Sequence, residues 1–156
     1  MSDGPNGVRG DSNSGKSSAC FPCAISIGSS WDLDQVKKIG VALGEEAQAK
    51  NVDVLLGPTI NIHRHPLGGR HFESFSEDPF LTGKIASNYV QGVQSQNVAA
   101  CLKHFVGNDT EFERHSISSN IDERTLREIY LLPFEMGVKE GLSLIHISEP
   151  TRRPII

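Results

Sequence analysis

Three features of the sequence predict an α/β fold made of parallel βα units. Short apolar runs alternate with longer segments whose apolar residues recur every three or four positions. The links from each helical segment to the next apolar run are short, whereas the links leaving the second and third runs are long and polar. Parallel strands need helical crossovers, and long loops leaving their carboxyl ends are where α/β folds place their sites.

The elements follow in order. Residues 1–20, rich in Gly, Ser, Asn and Asp, read as loop. Residues 23–27 read as a short buried strand. A helix is predicted from about Asp32, with Ser30 or Asp32 capping it and Leu33, Val36, Ile39 and Leu43 on one face. Asn51 closes that helix, and residues 52–56 form a second strand ended by Gly57 and Pro58. After an aperiodic stretch reaching Glu77, Asp78 and Pro79 supply an N-cap and a first-turn proline. Leu81, Ile85, Tyr89 and Val93 continue the second helix, and residues 98–102 form a third strand. Beyond another long loop, Asp122 or Thr125 opens a third helix carrying Leu126, Ile129, Tyr130 and Leu132. Pro133 falls inside its pattern and should kink or interrupt it.

Composition narrows the function. At 156 residues, 37% hydrophobic and 22% charged, the chain has material for one core and is not a disordered tail. A net charge of −4 without a basic tract argues against a nucleic-acid partner. No apolar run approaches the ~20 residues of a bilayer span. The first residues lack the basic and apolar regions of a signal peptide, which favours a cytoplasmic location. Three cysteines are too few for a disulfide scaffold.

Several patterns invite a chemical reading. Residues 10–17, opened by Gly10 and closed by Ser17 with Lys16 before it, satisfy the P-loop pattern G-x-x-x-x-G-K-S. No apolar strand precedes them, and Pro22 and Cys23 spoil a following helix, so the anion site would lack its helix N-terminus. The stretch reads as a surface loop, with a P-loop nucleotide hydrolase kept as an alternative. Cys20 and Cys23 have C-x-x-C spacing but run into a predicted strand and have no second pair, so they read as buried, inert thiols. His63, His65, His71 and Glu73 suggest a metal cluster, yet Arg64 and Arg70 stand among them and would repel a divalent ion; no metal or cofactor is expected. Asp109, Glu111 and Glu113 offer carboxylates for glycosidic chemistry, but their alternation with Asn108 and Arg114 fits a solvated, salt-bridged loop.

Lys103 and His104 are different, because they end an apolar strand and so sit at the mouth of the predicted site. Strict pleating would send neighbours to opposite faces, so for both to meet one ligand the backbone must depart from the pleat. With Gly68, Gly69 and Arg70 at the end of the other long loop, they form a clamp for sugar hydroxyls: Lys and Arg donate only, and His donates or accepts.

Seven motifs then occur in series: D-G-P-N-G-V-R-G from Asp3, C-F-P from Cys20, G-P-T-I-N-I from Gly57, P-L-G-G-R ending at Arg70, F-E-S-F-S-E-D-P from Phe72, L-K-H-F from Leu102 and R-E-I-Y-L-L-P-F from Arg127. In that order they resemble glycoside hydrolase family 3, and most closely its fungal-type β-glucosidases. The resemblance implies a partial (β/α)8 TIM-like barrel over residues 1–141, an incomplete N-terminal domain whose usual first strand and helix precede the D-G-P motif. It implies retaining hydrolysis of terminal nonreducing β-D-glucosyl residues through a covalent glycosyl-enzyme, with a β-glucoside or small oligosaccharide as substrate. By motif, Asp3, Arg70, Lys103 and His104 are the glucose-binding residues, and Glu73 orients Arg70. The family's nucleophile lies in a Ser-Asp-Trp run that this chain lacks, and its acid/base residue lies farther on. The chain is therefore expected to carry the glucose subsite without either catalytic carboxylate, and to be inactive alone. A noncatalytic carbohydrate-binding fragment remains a second alternative. Residues 142–156 leave the family's pattern and are expected to be a tail of artefactual origin.

Overall fold

A computed structural model describes residues 1–10 and 16–145. Four short strands, β1 (Ser2–Asp3), β2 (Val54–Leu56), β3 (Ala99–Leu102) and β4 (Leu144–Ile145), form one sheet in chain order, every neighbour parallel. The register sets Ser2 beside Leu55, Leu55 beside Ala100, and Cys101 beside Leu144. Helices connect successive strands: α1 (Ala24–Ser30) and α2 (Leu33–Ala49), then α3 (Pro79–Gln94), then α4 (Glu123–Thr125) and α5 (Leu132–Lys139). Consecutive parallel strands alternating with helices are the wall of a βα barrel. Among the described residues no helix is long and apolar enough to cross a membrane.

Local chemistry explains most boundaries. Asp32 accepts from the Gln35 N–H at 2.9 Å to cap α2, Asp78 accepts from Leu81 N–H at 2.6 Å to cap α3, and Asp122 accepts from Thr125 N–H at 3.0 Å to cap α4. Pro133 cannot donate a helical hydrogen bond. The chain accommodates it with a π-helical turn, Leu126–Tyr130, in which Leu131 N–H reaches back to the Leu126 carbonyl at 2.8 Å before α5 begins.

Two predictions fail. The segment at 23–27 is not a strand but the start of α1, whose buried residues Ala24, Ile27 and Gly28 are spaced as on one helical face. A short run of small and apolar residues fits either period, and packing decides. The first strand is instead Ser2–Asp3, inside the segment read as loop, and it exists through pairing with β2. Residues 16–23, Pro22 among them, carry no helix, so none opens directly at Lys16 and Ser17; residues 11–15 of the P-loop pattern lie outside the described residues.

The core lies between the sheet and the helices, with Leu43, Leu55, Ile60, Ile85, Val90, Val93 and Leu102 fully buried. α2 and α3 pack closely at Gly40 and Gly92: a Cβ on Gly92 would sit 2.3 Å from the Lys37 carbonyl oxygen and 2.9 Å from Gly40 Cα. The Gly92→Ala variant should therefore be less stable, because forcing the helices apart costs ~1–3 kcal/mol against the ~1 kcal/mol that alanine returns in helix propensity. The midpoint of urea unfolding measures the difference.

Candidate functional site

The polar residues at the carboxyl ends of the strands converge. Asp3 closes β1, and its carboxylate forms an ion pair and hydrogen bond with Lys103 Nζ, just beyond β3. β2 lies between those strands, and its continuation keeps the pairing parallel, with Thr59 bridged to Lys103. Lys103 and His104 are both buried, joined by a cis peptide. Their side chains serve one cluster: Lys103 meets Asp3, while His104 Nε2 lies 3.1 Å from Arg70 Nη2.

Arg70 comes from the long loop after β2, at the start of a 3₁₀ turn, His71–Glu73. Its Nε donates to Glu73, a buried carboxylate that also accepts from the Thr59 hydroxyl at 3.3 Å. Glu111 Oε1 approaches the same Nε at 3.4 Å from the loop after β3. Glu73 thus holds the guanidinium from behind while Arg70 faces His104. Asp3 with Lys103, and Glu73 with Arg70 and His104, form two polar groups that meet at the Lys103–His104 peptide.

Supports that the sequence did not single out hold this network in place. Asn61 is buried beneath His104: its Nδ2 donates to the His104 carbonyl at 2.9 Å, and its Oδ1 accepts from the His104 N–H at 3.0 Å. Phe105 meets Phe134 of α5 edge to face, centroids 5.1 Å apart. The loop beyond Asp3 is gripped from outside the sheet. Glu46 of α2 accepts from Val8 N–H at 2.7 Å and Ala19 N–H at 2.6 Å, Lys50 donates to the Val8 carbonyl at 2.6 Å, and the buried Tyr89 hydroxyl donates to Pro5 O at 3.0 Å. Burial pushes the Tyr89 hydroxyl far above its ordinary value, so it stays a donor. The signal for Asn61 was its place in the loop after β2; Glu46 and Tyr89 carried none, since both sit on helix faces.

Other candidates resolve differently. Cys20 is exposed and Cys23 is half-buried at the N-cap of α1, so these two are not the buried thiols expected; Cys101 is the buried one. Asp109 is buried rather than solvated, with Oδ2 3.2 Å from Arg64 Nε, whose Nη1 reaches the Tyr130 hydroxyl at 3.5 Å. Burial raises its carboxyl above the ordinary range, and the Arg64 charge opposes the rise. Glu111 pairs with Arg114 at 3.2 Å as well as with Arg70. His63 and His71 stack, centroids 5.0 Å apart, and His63 Nε2 bonds the Ser74 carbonyl at 2.9 Å. Burial, then His63, His65 and Arg64, hold the His71 imidazole below its ordinary value. Among the described residues no three His, Cys, Asp or Glu side chains gather as a metal site.

Residues 5–150 match the glycosyl hydrolase family 3 N terminal domain. The chain belongs to this family. It is 56% identical over 143 residues to a beta-glucosidase of Rhizobium radiobacter, an alignment covering 90% of this chain and 18% of that protein. Among solved structures, the beta-glucosidase of Kluyveromyces marxianus in complex with glucose superposes with a TM-score of 0.88 at 45% identity, over 96% of this chain and 19% of the other. Beta-glucosidase 3B of Thermotoga neapolitana in complex with glucose gives 0.84 at 42% identity, over 94% and 22%. The chain thus spans about a fifth of the length of these relatives, and its β1–β4 wall is part of a family 3 barrel.

Asp3 carries the pH dependence of the network. Burial raises its carboxyl, but the Lys103 bond and charge, the Gly4 N–H and Arg9 outweigh it and leave the group below its ordinary 3.8. A carboxyl lowered by folding stabilises the fold above 3.8 and loses that contribution as pH falls through its lower folded value. The Lys103→Met variant removes the partner while burial remains, so its carboxyl should return to or above 3.8. Urea unfolding followed from roughly pH 5 to roughly pH 2.5 should show an Asp3-dependent loss of stability in the unmodified chain and none in the variant.

Proposed function

We propose that this chain supplies the subsite for the terminal nonreducing glucosyl residue of a retaining β-glucosidase, whose nucleophile and acid/base carboxylates come from outside it. One observation carries the reading: Asp3 pairs with Lys103 and Arg70 meets His104 at the carboxyl ends of parallel strands, the two pairs joined through the Lys103–His104 peptide. A pyranose presents adjacent hydroxyls, each able to donate once and accept twice. Asp3 accepts from such a pair, Lys103 and Arg70 donate to the same ring, and charge makes each bond stronger than a neutral one. The glucose complexes of the Kluyveromyces marxianus and Thermotoga neapolitana enzymes support glucose as the sugar.

Hydrolysis of a glycosidic bond with retention requires two carboxyl groups ~5–5.5 Å apart across the scissile bond. The carboxylates of this network are engaged otherwise: Asp3 with Lys103 and Glu73 with Arg70. They position the sugar and leave its anomeric carbon to groups elsewhere.

Titration calorimetry with glucose tests the proposal. The unmodified chain should bind, and Asp3→Ala or Lys103→Ala should weaken binding about ten- to a hundredfold, as expected for a lost charged hydrogen bond worth ~1.5–3 kcal/mol. Unchanged affinity in both variants rejects the subsite. The purified chain should release no phenol from an aryl β-glucoside, and turnover that survives purification would show that it holds its own catalytic carboxylates.

A further inference from the structure

His104 has two ring nitrogens, and its surroundings give each a separate task. The Arg70 guanidinium has donors only, so its Nη2, 3.1 Å from Nε2, meets a lone pair there. Nδ1 lies 3.3 Å from Asn61 Oδ1. The identity of that oxygen follows from the backbone: the His104 carbonyl takes the Asn61 Nδ2 hydrogen, and the His104 N–H faces Oδ1. An amide oxygen only accepts, so Nδ1 carries the imidazole hydrogen. Both side chains are buried, 3% exposed for Asn61 and 5% for His104.

We infer that Asn61 is a positioning residue that holds His104 in the Nδ1–H tautomer, so that Nε2 offers a lone pair to a sugar hydroxyl. This rests on the glucosyl-binding reading. When the 3.1 Å Arg70–His104 contact opens, one hydroxyl can bridge the two groups, accepting from Arg70 and donating to His104 Nε2. The site gains a second acceptor beside Asp3 without a second anion. Arg70 meets the ring, with Glu73 and Glu111 against its guanidinium, and the adjoining Lys103 is paired with Asp3. Protonating the imidazole turns Nε2 into a donor aimed at a guanidinium and removes the acceptor, so glucose affinity falls as His104 becomes charged.

Long-range proton–nitrogen NMR of the histidine-labelled chain reads the tautomer without any sugar. The unmodified chain should show His104 with hydrogen on Nδ1 and none on Nε2. Asn61→Leu should weaken that preference, leaving the Arg70 contact alone to favour it. Asn61→Asp keeps an oxygen for Nδ1–H and should restore it, while its negative charge moves the pH at which glucose affinity is half lost upward by about one unit or more. Hydrogen on Nε2, or an averaged free-imidazole signal, in the unmodified chain overturns the assignment. So does an Asp variant whose glucose pH profile matches the unmodified one. Absence of glucose binding with the Nδ1–H ring in place instead overturns the glucosyl-binding reading and leaves the tautomer assignment standing.

Discussion

The Asp3–Lys103 ion pair ties together parts of the chain 100 residues apart, and the rest of the site is arranged around it. It joins the ends of β1 and β3 across β2, so it forms only when three strands are in register. Lys103 is almost wholly buried, and a buried ammonium is tolerable only with a partner. The pair therefore makes the geometry of the sheet and the charge state of the site a single condition. Arg70 and Glu73 repeat the device one loop away, again a cation held by a carboxylate. In both, the carboxylate neutralises the cation it holds.

Local signals were legible and distant ones were not. The caps at Asp32, Asp78 and Asp122 depend on a side chain and the backbone three residues on, which a sequence displays directly. The Pro133 interruption is equally local. β1 is only two residues long and owes its existence to Leu55 and Leu56, more than fifty residues away, so no periodicity could announce it. α1 was misread because residues 23–27 suit either period until Gly28 and Ile27 are packed.

The site residues divide the same way. Chain position alone brought Lys103, His104 and Arg70 to notice, because they close a strand or a long loop. Asp3 entered only through motif resemblance, since it stood in a stretch without apolar pattern. Asp109 looked like one member of an exposed acidic series, yet its neighbourhood is set by Arg64 and Tyr130 from two other segments. Asn61 lies in the G-P-T-I-N-I motif but carries no charge that would single it out; its importance lies in three contacts to one histidine.

The double grip of Glu46 on the backbone at Val8 and Ala19 anchors the loop beyond Asp3 from a helix on the outer side of the sheet. A substitution on that outer helix can therefore shift the loop bearing the first acidic residue while leaving every side chain at the strand ends as it is.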